Sequence, residues 1–342
     1  MKPVSIGIVG LGFMAVAHLR AYREVPGARI AALCSPNGRH LDGDFSGVAG
    51  NVGSKDPFRH DMTGVKAFRD FAAMLADPTI DAIDICAPTH AHKELALTAL
   101  AAGKHVLCEK PLARTSADAG AMLTAALAAK RVLMPAMCLR FWPEWAWVKQ
   151  AIDDGRFGKV LAARFRRVAE PPAWGQHNFL DGAKSGGALL DLHVHDADFI
   201  LHCFGRPRAV FATGYTKLSG AVDHVVAQYQ FTSGAEVYAE GGWAMSSGFG
   251  FNMSYTVNFE RATADYDLAR GAEALRLFEP GKPPRVITCE PGDGYIGELR
   301  HFVECVATGQ PSTAVTAADG VASVELCEAE EKSVRERRIV EF

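Results

Sequence analysis

The sequence predicts an α/β protein with two domains. Residues 1–130 are expected to form a doubly wound parallel-sheet domain, and residues 131–342 an α+β domain with an open, mostly antiparallel sheet. In the first third of the chain, continuous Val-, Ile- and Leu-rich runs alternate with helical patterns, which is typical of parallel strands covered on both faces. After residue 158 the runs alternate apolar with polar residues, which is typical of a sheet with one covered face.

The elements of the first domain follow from these runs. Strands are predicted over residues 4–10, 29–34, 82–86, 105–108 and 132–137, and helices over residues 13–23, 93–102 and 116–129. The segment 35–66 has little apolar periodicity and is rich in Gly, Asp and His. Loops of that length are usually functional or mobile. We expect this one to act as a lid or an interface element.

The second domain is predicted in the same way. Alternating runs begin at Lys159, Ala209, His224, Ala235, Phe251 and Ala262. Between the first two of these strands, residues 185–205 begin with two glycines and continue as one helix. Two further helices are expected over residues 297–307 and 317–335.

Composition excludes several classes of protein. The 342 residues include 36 Lys and Arg against 39 Asp and Glu, a net charge of −3, which argues against a nucleic-acid partner. A 49% hydrophobic and 22% charged composition is typical of a globular protein. The sequence has no apolar run of about 18 residues and no recognisable signal peptide, so we expect a cytoplasmic protein without a membrane partner. The eight cysteines include no CxxC pair and are expected to be reduced and buried, with no metal bound.

A dinucleotide-binding fingerprint follows the first predicted strand. Residues 10–15 read Gly-Leu-Gly-Phe-Met-Ala and open a helix. Gly10 permits the tight turn, and Gly12 lets the backbone approach a pyrophosphate. The helix N-terminus then offers its N–H groups to the phosphates, so we expect Gly10, Gly12, Phe13 and Met14 to contact the cofactor.

The end of the second strand bears on which dinucleotide is bound. A carboxylate about 20 residues after the glycines accepts hydrogen bonds from the adenosine ribose in NAD-binding proteins. Here that strand is followed by Ser35, Asn37 and Arg39, and no carboxylate is present. Because Arg39 suits a 2′-phosphate, the sequence predicts NAD(P) with a lean towards NADP.

Two turns are predicted to share the rim of the parallel sheet. Pro88, Thr89 and His92 follow the strand over 82–86, and Glu109 and Lys110 follow the strand over 105–108. In an open α/β sheet, ligands lie beyond the carboxyl ends of the strands. We therefore expect all five residues to contact the cofactor, with Lys110 also able to hydrogen-bond a substrate oxygen.

The pair Asp191 and His195 is the candidate acid–base group. On one helix, residues four apart share a face and can touch. A carboxylate on one imidazole nitrogen raises the basicity of the other and makes His195 a proton acceptor. His193 falls on the opposite side of such a helix, so a three-ligand metal site in this turn is not predicted.

Taken together, these segments resemble the glucose–fructose oxidoreductase, inositol dehydrogenase and MocA family. The resemblance is carried by residues 7–18, 81–113, 139–160 and 185–205, in the family's order and spacing. The Glu-Lys-Pro segment at 109–111 together with Asp191 and His195 is its most specific part.

The resemblance implies a Rossmann domain, an open-sheet second domain that often forms homodimers or homotetramers, and hydride transfer between NAD(P) and a secondary alcohol of a sugar, cyclitol or polyol. It implies that Lys110 holds the reacting oxygen, that His195 takes the hydroxyl proton and that Asp191 orients the site. It also implies a cis Lys110–Pro111 bond and places Arg140 near the nicotinamide and substrate.

Three features depart from the family pattern. Cys138 stands where relatives often have Asn, His193 where many have Gly, and the 35–66 segment is longer than usual. Aromatic and polar residues that are candidates to line a sugar pocket are Trp142, Trp145, Trp174, His177, Trp243 and Phe249. Trp174 and His177 lead this set because their segment has loop composition.

Other functions stay open on the sequence alone. A glycosidase of the same fold would oxidise a sugar transiently, eliminate the aglycone and reduce the sugar again with retained NAD. A dinucleotide-sensing regulator would bind without turnover, although Lys110, Asp191 and His195 argue against it. A metal-assisted variant would use His193 or His195.

Overall fold

The protein is described by a computed structural model covering residues 2–50, 56–173 and 175–342. The chain divides into two compact units. The first comprises Met1–Cys138 and Asp293–Val321, and the second comprises Leu139–Gly292 and Ala322–Phe342. This division differs from the predicted boundary at 130/131, because the strand over Leu133–Ala136 pairs with Val106–Glu109 in the first sheet and a C-terminal helix returns to the first unit.

The elements up to residue 136 alternate as predicted. They are β1 (Val4–Val9), α1 (Phe13–Tyr22), β2 (Ala28–Cys34), β3 (Lys66–Phe68), α2 (Phe71–Leu75), β4 (Ala82–Ile85), α3 (His92–Ala101), β5 (His105–Glu109), α4 (Ser116–Ala129) and β6 (Leu133–Ala136).

The remaining elements, in chain order, are α5 (Pro143–Asp153), β7 (Val160–Ala169), α6 (Gln176–Phe179), α7 (Gly182–Ser185), α8 (Gly187–Asp191), α9 (Val194–Phe204), β8 (Ala209–Tyr215), β9 (His224–Gln230), β10 (Glu236–Gly242), β11 (Phe251–Phe259), β12 (Thr263–Asp267), β13 (Leu275–Phe278), β14 (Arg285–Val286), α10 (Gly294–Thr308), α11 (Ala317–Glu336) and β15 (Val340–Glu341).

The first unit contains a parallel sheet with strand order β3-β2-β1-β4-β5-β6. Every residue of β1 and β4 is buried, as expected for central strands with helices on both faces. The strand order reverses direction at β1, and the carboxyl ends of β1, β4 and β5 meet at one edge. This is the edge where open α/β sheets bind ligands, and it confirms the predicted doubly wound fold.

The 35–66 segment packs against its own unit. Phe45 and Phe58 are buried within it, and Arg20 and Arg23 of α1 each place the guanidinium carbon 4.6 Å from the Phe58 ring centroid. An isolated bridge pairs Asp44 with Arg59. Just after this segment, β3 and α2 were not predicted, because three- and five-residue elements carry too few residues to show a period.

The second unit contains a sheet with order β14-β13-β12-β11-β7-β10-β9-β8-β15. Its neighbouring strands are antiparallel except β7 and β10, which are parallel, so the mostly antiparallel prediction is confirmed. Burial alternates along β9 and the start of β10, which leaves one face covered and one exposed. Trp145 is fully buried beneath this sheet, with ring centroids 4.9 Å from Phe199 and 5.1 Å from Tyr255.

The glycine-led segment 185–205 is not one helix. Helix α8 ends at Asp191, Leu192 and His193 form a turn, and α9 begins at Val194. The expectation that Asp191 and His195 lie on one continuous helix is therefore wrong. Among the described residues, no helix is both long enough and apolar enough to cross a membrane.

Candidate active site

The fingerprint turn has the geometry that its glycines predict. Gly10 has φ +89°. A β-carbon on it would lie 2.4 Å from the backbone nitrogen of Ala87, in the turn after the neighbouring strand β4. Only glycine allows this close approach. Gly12 is different, since a β-carbon built on it meets no atom of the described chain within 4 Å.

The N-terminus of α1 is open to an anion. Gly12 is its N-cap residue and provides no side-chain hydrogen bond, and the first turn carries no acidic residue. The N–H groups of its first turn form the positive end of the helix dipole, and they therefore face the space beside Gly12. These residues fit a dinucleotide pyrophosphate. Phe13 and Met14, which follow, are partly buried.

Two arginines lie at the turn that follows β2. Ser35 is buried and its hydroxyl donates to Asn37 Oδ1 at 2.8 Å, and the same oxygen accepts from the backbone N–H of Arg39 at 3.0 Å. The guanidinium of Arg69 lies beside this turn, because a β-carbon on Gly38 would be 2.7 Å from one of its nitrogens. Sequence reasoning missed Arg69, which follows β3 and reaches Gly38 only in the folded sheet.

The turn after β4 is tied to the turn after β5 by His92. The buried imidazole places Nε2 2.8 Å from the carbonyl oxygen of Ala87 and Nδ1 2.9 Å from that of Pro111. Burial lowers the pKa of His92, although contacts with these carbonyls oppose the effect. Pro88 caps a short 3-10 turn, Thr89–Ala91, that precedes α3. His92 thus holds the two turns together through both of its ring nitrogens.

The turn after β5 contains Glu109, Lys110 and Pro111. The Lys110–Pro111 peptide bond is cis, as the resemblance implied. The backbone N–H of Lys110 donates to Glu109 Oε2 at 3.1 Å, and Lys110 itself is partly buried. The Glu109 carboxylate is buried, and its Oε1 lies 3.1 Å from Nε2 of His18.

His18 of α1 forms the centre of a buried polar cluster that sequence reasoning missed. Its Nδ1 lies 2.8 Å from Asp84 Oδ2 and 3.5 Å from the Cys86 sulfur. Burial acts to lower the pKa of His18, but the charge of Asp84 and the contact with Cys86 outweigh it and raise that pKa well above its usual value. The imidazole is therefore positively charged near neutral pH.

In the second unit, Asp191 is buried and His195 is partly buried at the start of α9. Between them, His193 is fully buried, with Nε2 3.1 Å from Glu330 Oε2 and 3.3 Å from the Tyr229 hydroxyl. Burial opposes protonation of His193, but Glu330 outweighs it and raises the pKa. His193 thus anchors the turn that separates Asp191 from His195.

The remaining substrate candidates have different surroundings. Arg140 is buried and donates to both carboxylate oxygens of Asp198, at 2.9 and 2.6 Å. His177 is exposed, and Trp174 lies outside the described residues.

Trp145 and Trp243 are both buried in the core, and Trp243 donates to Asp223 at 2.9 Å. The two tryptophans are structural, so the prediction that they line a sugar pocket is wrong.

The structure gathers the cofactor candidates at one edge of the first sheet. The fingerprint turn, the turn after β4 and the turn after β5 follow three adjacent parallel strands. Lys110 belongs to this unit, whereas Asp191, His195 and Arg140 belong to the second.

Comparisons with known proteins agree with this architecture. The family described as "Oxidoreductase family, NAD-binding Rossmann fold" matches residues 4–137, and "GFO/IDH/MocA C-terminal domain" matches residues 145–265. The chain is 28% identical to myo-inositol 2-dehydrogenase of Thermotoga maritima over 99% of this chain and 98% of that protein. It is 31% identical to 1,5-anhydro-D-fructose reductase of Ensifer adhaerens over 76% of this chain and 79% of that protein.

Solved structures share the whole fold. Levoglucosan dehydrogenase in complex with NADH and L-sorbose has a TM-score of 0.84 and 23% identity, covering 100% of this chain and 99% of that one. Aldose-aldose oxidoreductase from Caulobacter crescentus, complexed with glycerol, has a TM-score of 0.84 and 25% identity, covering 100% of both chains.

Proposed function

This chain belongs to the GFO/IDH/MocA family of NAD-binding oxidoreductases, and on that premise we propose that it transfers a hydride between a nicotinamide dinucleotide and a secondary hydroxyl or keto group of a sugar, cyclitol or related polyol. The observation that carries the proposal is its match, over nearly its full length, to a cyclitol dehydrogenase. The open anion site beside Gly12 supports it from the structure.

The dinucleotide, when bound, supplies the carbon that accepts or donates the hydride. Gly10 and Gly12 would hold its pyrophosphate against the N-terminus of α1, with Phe13 and Met14 beside it. Pro88 would line the same edge of the sheet.

Two side chains are proposed to act on the reacting hydroxyl group and its proton. We propose that Lys110 hydrogen-bonds the substrate oxygen, and that His195 takes the hydroxyl proton as the hydride leaves the carbon. Asp191 would position His195. The family resemblance at 109–111 and 185–205 supports these roles, and Lys110 and His195 are each only partly buried.

The adenosine end of the cofactor distinguishes NAD from NADP. Arg39 and Arg69 both lie at the Gly38 turn, and the residues that end β2, Cys34 and Ser35, offer no carboxylate. Two guanidinium groups suit the doubly charged 2′-phosphate of NADP. We therefore propose that NADP is bound more tightly than NAD.

The second unit offers a surface for self-association. Phe211 and Tyr215 on β8, Val226 on β9 and Tyr238 on β10 are exposed on the sheet. Exposed apolar patches of this kind mark protein interfaces. We propose that this face forms a homodimer or homotetramer, which analytical ultracentrifugation of the wild type and of Tyr238→Lys would test.

A substrate panel tests the function directly. Reduced-cofactor absorbance would be followed with myo-inositol, scyllo-inositol, levoglucosan and 1,5-anhydro-D-fructose, each with NAD(H) and NADP(H) in parallel. Saturable turnover of one of these compounds supports the proposal. Aglycone release from a glycoside without net reduced cofactor would instead identify the glycosidase, and tight NADH binding without turnover of any compound would identify a regulator.

A further inference from the structure

The buried cluster around His18 has no role in the reaction as proposed above. His18 and Asp84 are fully buried, and Glu109 is 5% exposed. The three residues come from α1, β4 and β5, so the cluster joins the helix that follows the fingerprint to the strand that ends just before Lys110. A buried charge is expensive unless it is paired, and a fold keeps such a cluster only when each member has a partner.

The positive charge of the cluster has a carboxylate on each side. His18 carries one positive charge between the carboxylates of Asp84, at 2.8 Å, and Glu109, at 3.1 Å. Burial acts to raise the pKa of Glu109, but the contact with His18 and the charges of His18, Lys110 and His92 outweigh it and lower that pKa. Glu109 is therefore ionised: its Oε1 is ion-paired with His18, and its Oε2 accepts a hydrogen bond from the Lys110 N–H.

Several other groups surround His18. Among them, the Asp84–His18–Glu109 chain is the one that connects the imidazole to the turn after β5. The rings of Tyr22 and Tyr295 flank the imidazole, with centroids 6.5 and 6.2 Å away. The Cys86 thiol contacts it from the side, and burial raises the pKa of that thiol, so it stays neutral. Burial also raises the pKa of Glu298 well above its usual value, which leaves this third carboxyl group uncharged beside the ion chain.

From this geometry we infer that His18 is a positioning residue: the Asp84–His18–Glu109 chain fixes the Glu109 carboxylate, which in turn fixes the backbone N–H of Lys110 and hence the place of its amine. The inference rests on the proposed role of Lys110. The carboxylate has one oxygen on each neighbour, so rotating it to follow a displaced imidazole would break the bond to Lys110. An error of about 1 Å in a reacting group reduces turnover by roughly 100-fold.

The experiment is a double-mutant cycle with His18→Gln, Glu109→Gln and the double variant. If the two residues act through one another, each single variant lowers kcat by roughly 10- to 100-fold, and the double variant is no slower than the slower single one. Multiplying effects in the double variant would contradict the chain. The NADH affinity of His18→Gln, followed by fluorescence titration, is expected to change less than threefold, and a parallel loss of affinity and kcat in that variant would also contradict the chain.

A second measurement needs no substrate and so separates this inference from the proposed function. The acetylation rate of Lys110 by acetic anhydride, measured by mass spectrometry and normalised to exposed Lys93, is expected to rise severalfold in His18→Gln because the turn loosens. An unchanged rate in folded protein overturns the inference even if the substrate panel is negative. If His18→Gln does not fold, the isosteric Asp84→Asn replaces it with the same expected rise.

Lys104→Met is the matched control. Lys104 is also a buried charged residue of this unit, donating to the carbonyl oxygens of Asp77 and Ile80, but it precedes β5 at the end opposite Glu109. Its loss should destabilise the fold and leave both the kcat of the folded protein and the Lys110 acetylation rate unchanged. A comparable loss of kcat in Lys104→Met would assign the His18 effect to general destabilisation.

Discussion

Gly241 on β10 lies directly against the imidazole of His193: a β-carbon on Gly241 would stand 2.6 Å from Nδ1 and 2.7 Å from the β-carbon of His193. The imidazole has little room to move away, because its other nitrogen is held by Glu330 and Tyr229. A strand glycine at this position therefore lets the turn between α8 and α9 sit close to the sheet.

Gly241→Ala is expected to destabilise the protein by about 1–3 kcal/mol, the usual result of overfilling a packed core. Thermal unfolding measures the effect. Gly120→Ala is the control, since Gly120 lies inside α4 and a β-carbon there would meet no atom of another described segment within 4 Å. That substitution should raise stability by about 0.5–1 kcal/mol. Equal effects of the two alanines would contradict the close contact.

The two fingerprint glycines are expected to respond differently to alanine. Gly10→Ala should unfold or strongly destabilise the chain, since the new carbon would lie 2.4 Å from the backbone of Ala87 at φ +89°. Gly12→Ala should leave the melting temperature within about 2 °C, because the site is open. It should nevertheless weaken NADH binding about 10-fold or more by filling the space beside the helix N-terminus. Unchanged NADH affinity in Gly12→Ala would argue against a pyrophosphate there.

The features that the sequence predicted correctly are those determined by residues adjacent along the chain. Strands β1 and β4 are buried throughout and the last four residues of β2 and of β5 are buried, and the Gly10 turn needs a conformation that glycine adopts readily, so each could be recognised from adjacent residues. The His18–Asp84 contact joins positions 66 apart, and no pattern along the chain marks it.

The break between α8 and α9 escaped prediction for a similar reason. After its two glycines, the segment 185–205 has helical composition, and the turn at Leu192–His193 is fixed by contacts of His193 with Tyr229 and Glu330, far along the chain. Arg69 at the Gly38 turn is a third case, because the two positions meet only when β3 pairs with β2.

Lys110→Ala and His195→Asn should each lower kcat by about 10²- to 10⁴-fold, the usual contribution of a positioned acid–base group. NADH affinity should stay nearly unchanged, as a fluorescence titration would measure. His177→Ala is the control, because it removes an exposed imidazole of the second unit. If this imidazole contacts the substrate only at its periphery, the variant should alter KM more than kcat. A parallel loss of cofactor affinity and turnover in either of the first two variants would contradict the assigned roles.

Arg39→Ala and Arg69→Ala are each expected to weaken NADPH binding about 10-fold, the loss of roughly one charge-assisted contact to phosphate. NADH lacks the 2′-phosphate, so its dissociation constant should stay within about twofold. Arg164→Ala removes an exposed arginine on β7 and serves as a control for net charge. If both nucleotides lose affinity equally, the arginines do not distinguish them.

Glu298 gives a pH dependence with a defined sign. This glutamate of α10 is fully buried, and neither carboxylate oxygen has a hydrogen-bond partner among the described residues. Burial, with further repulsion from Glu109 and Asp84, raises its pKa well above 4.5 despite the opposing charge of His18. Above pH 4.5 the unfolded chain therefore releases a proton that the folded chain retains.

The Glu298 carboxyl should accordingly lower the free energy of unfolding by about 1.4 kcal/mol for each pH unit between 4.5 and its folded pKa. Glu298→Gln keeps the shape of the neutral acid and removes the proton, so this variant should gain stability over the wild type as pH rises. The measurement is urea unfolding of both proteins from pH 5 to pH 8. His18 and the other titrating groups are common to the two curves, so their difference isolates Glu298. Parallel curves would mean that Glu298 ionises equally in the folded and unfolded chains, and that the cluster around His18 holds three carboxylates rather than two.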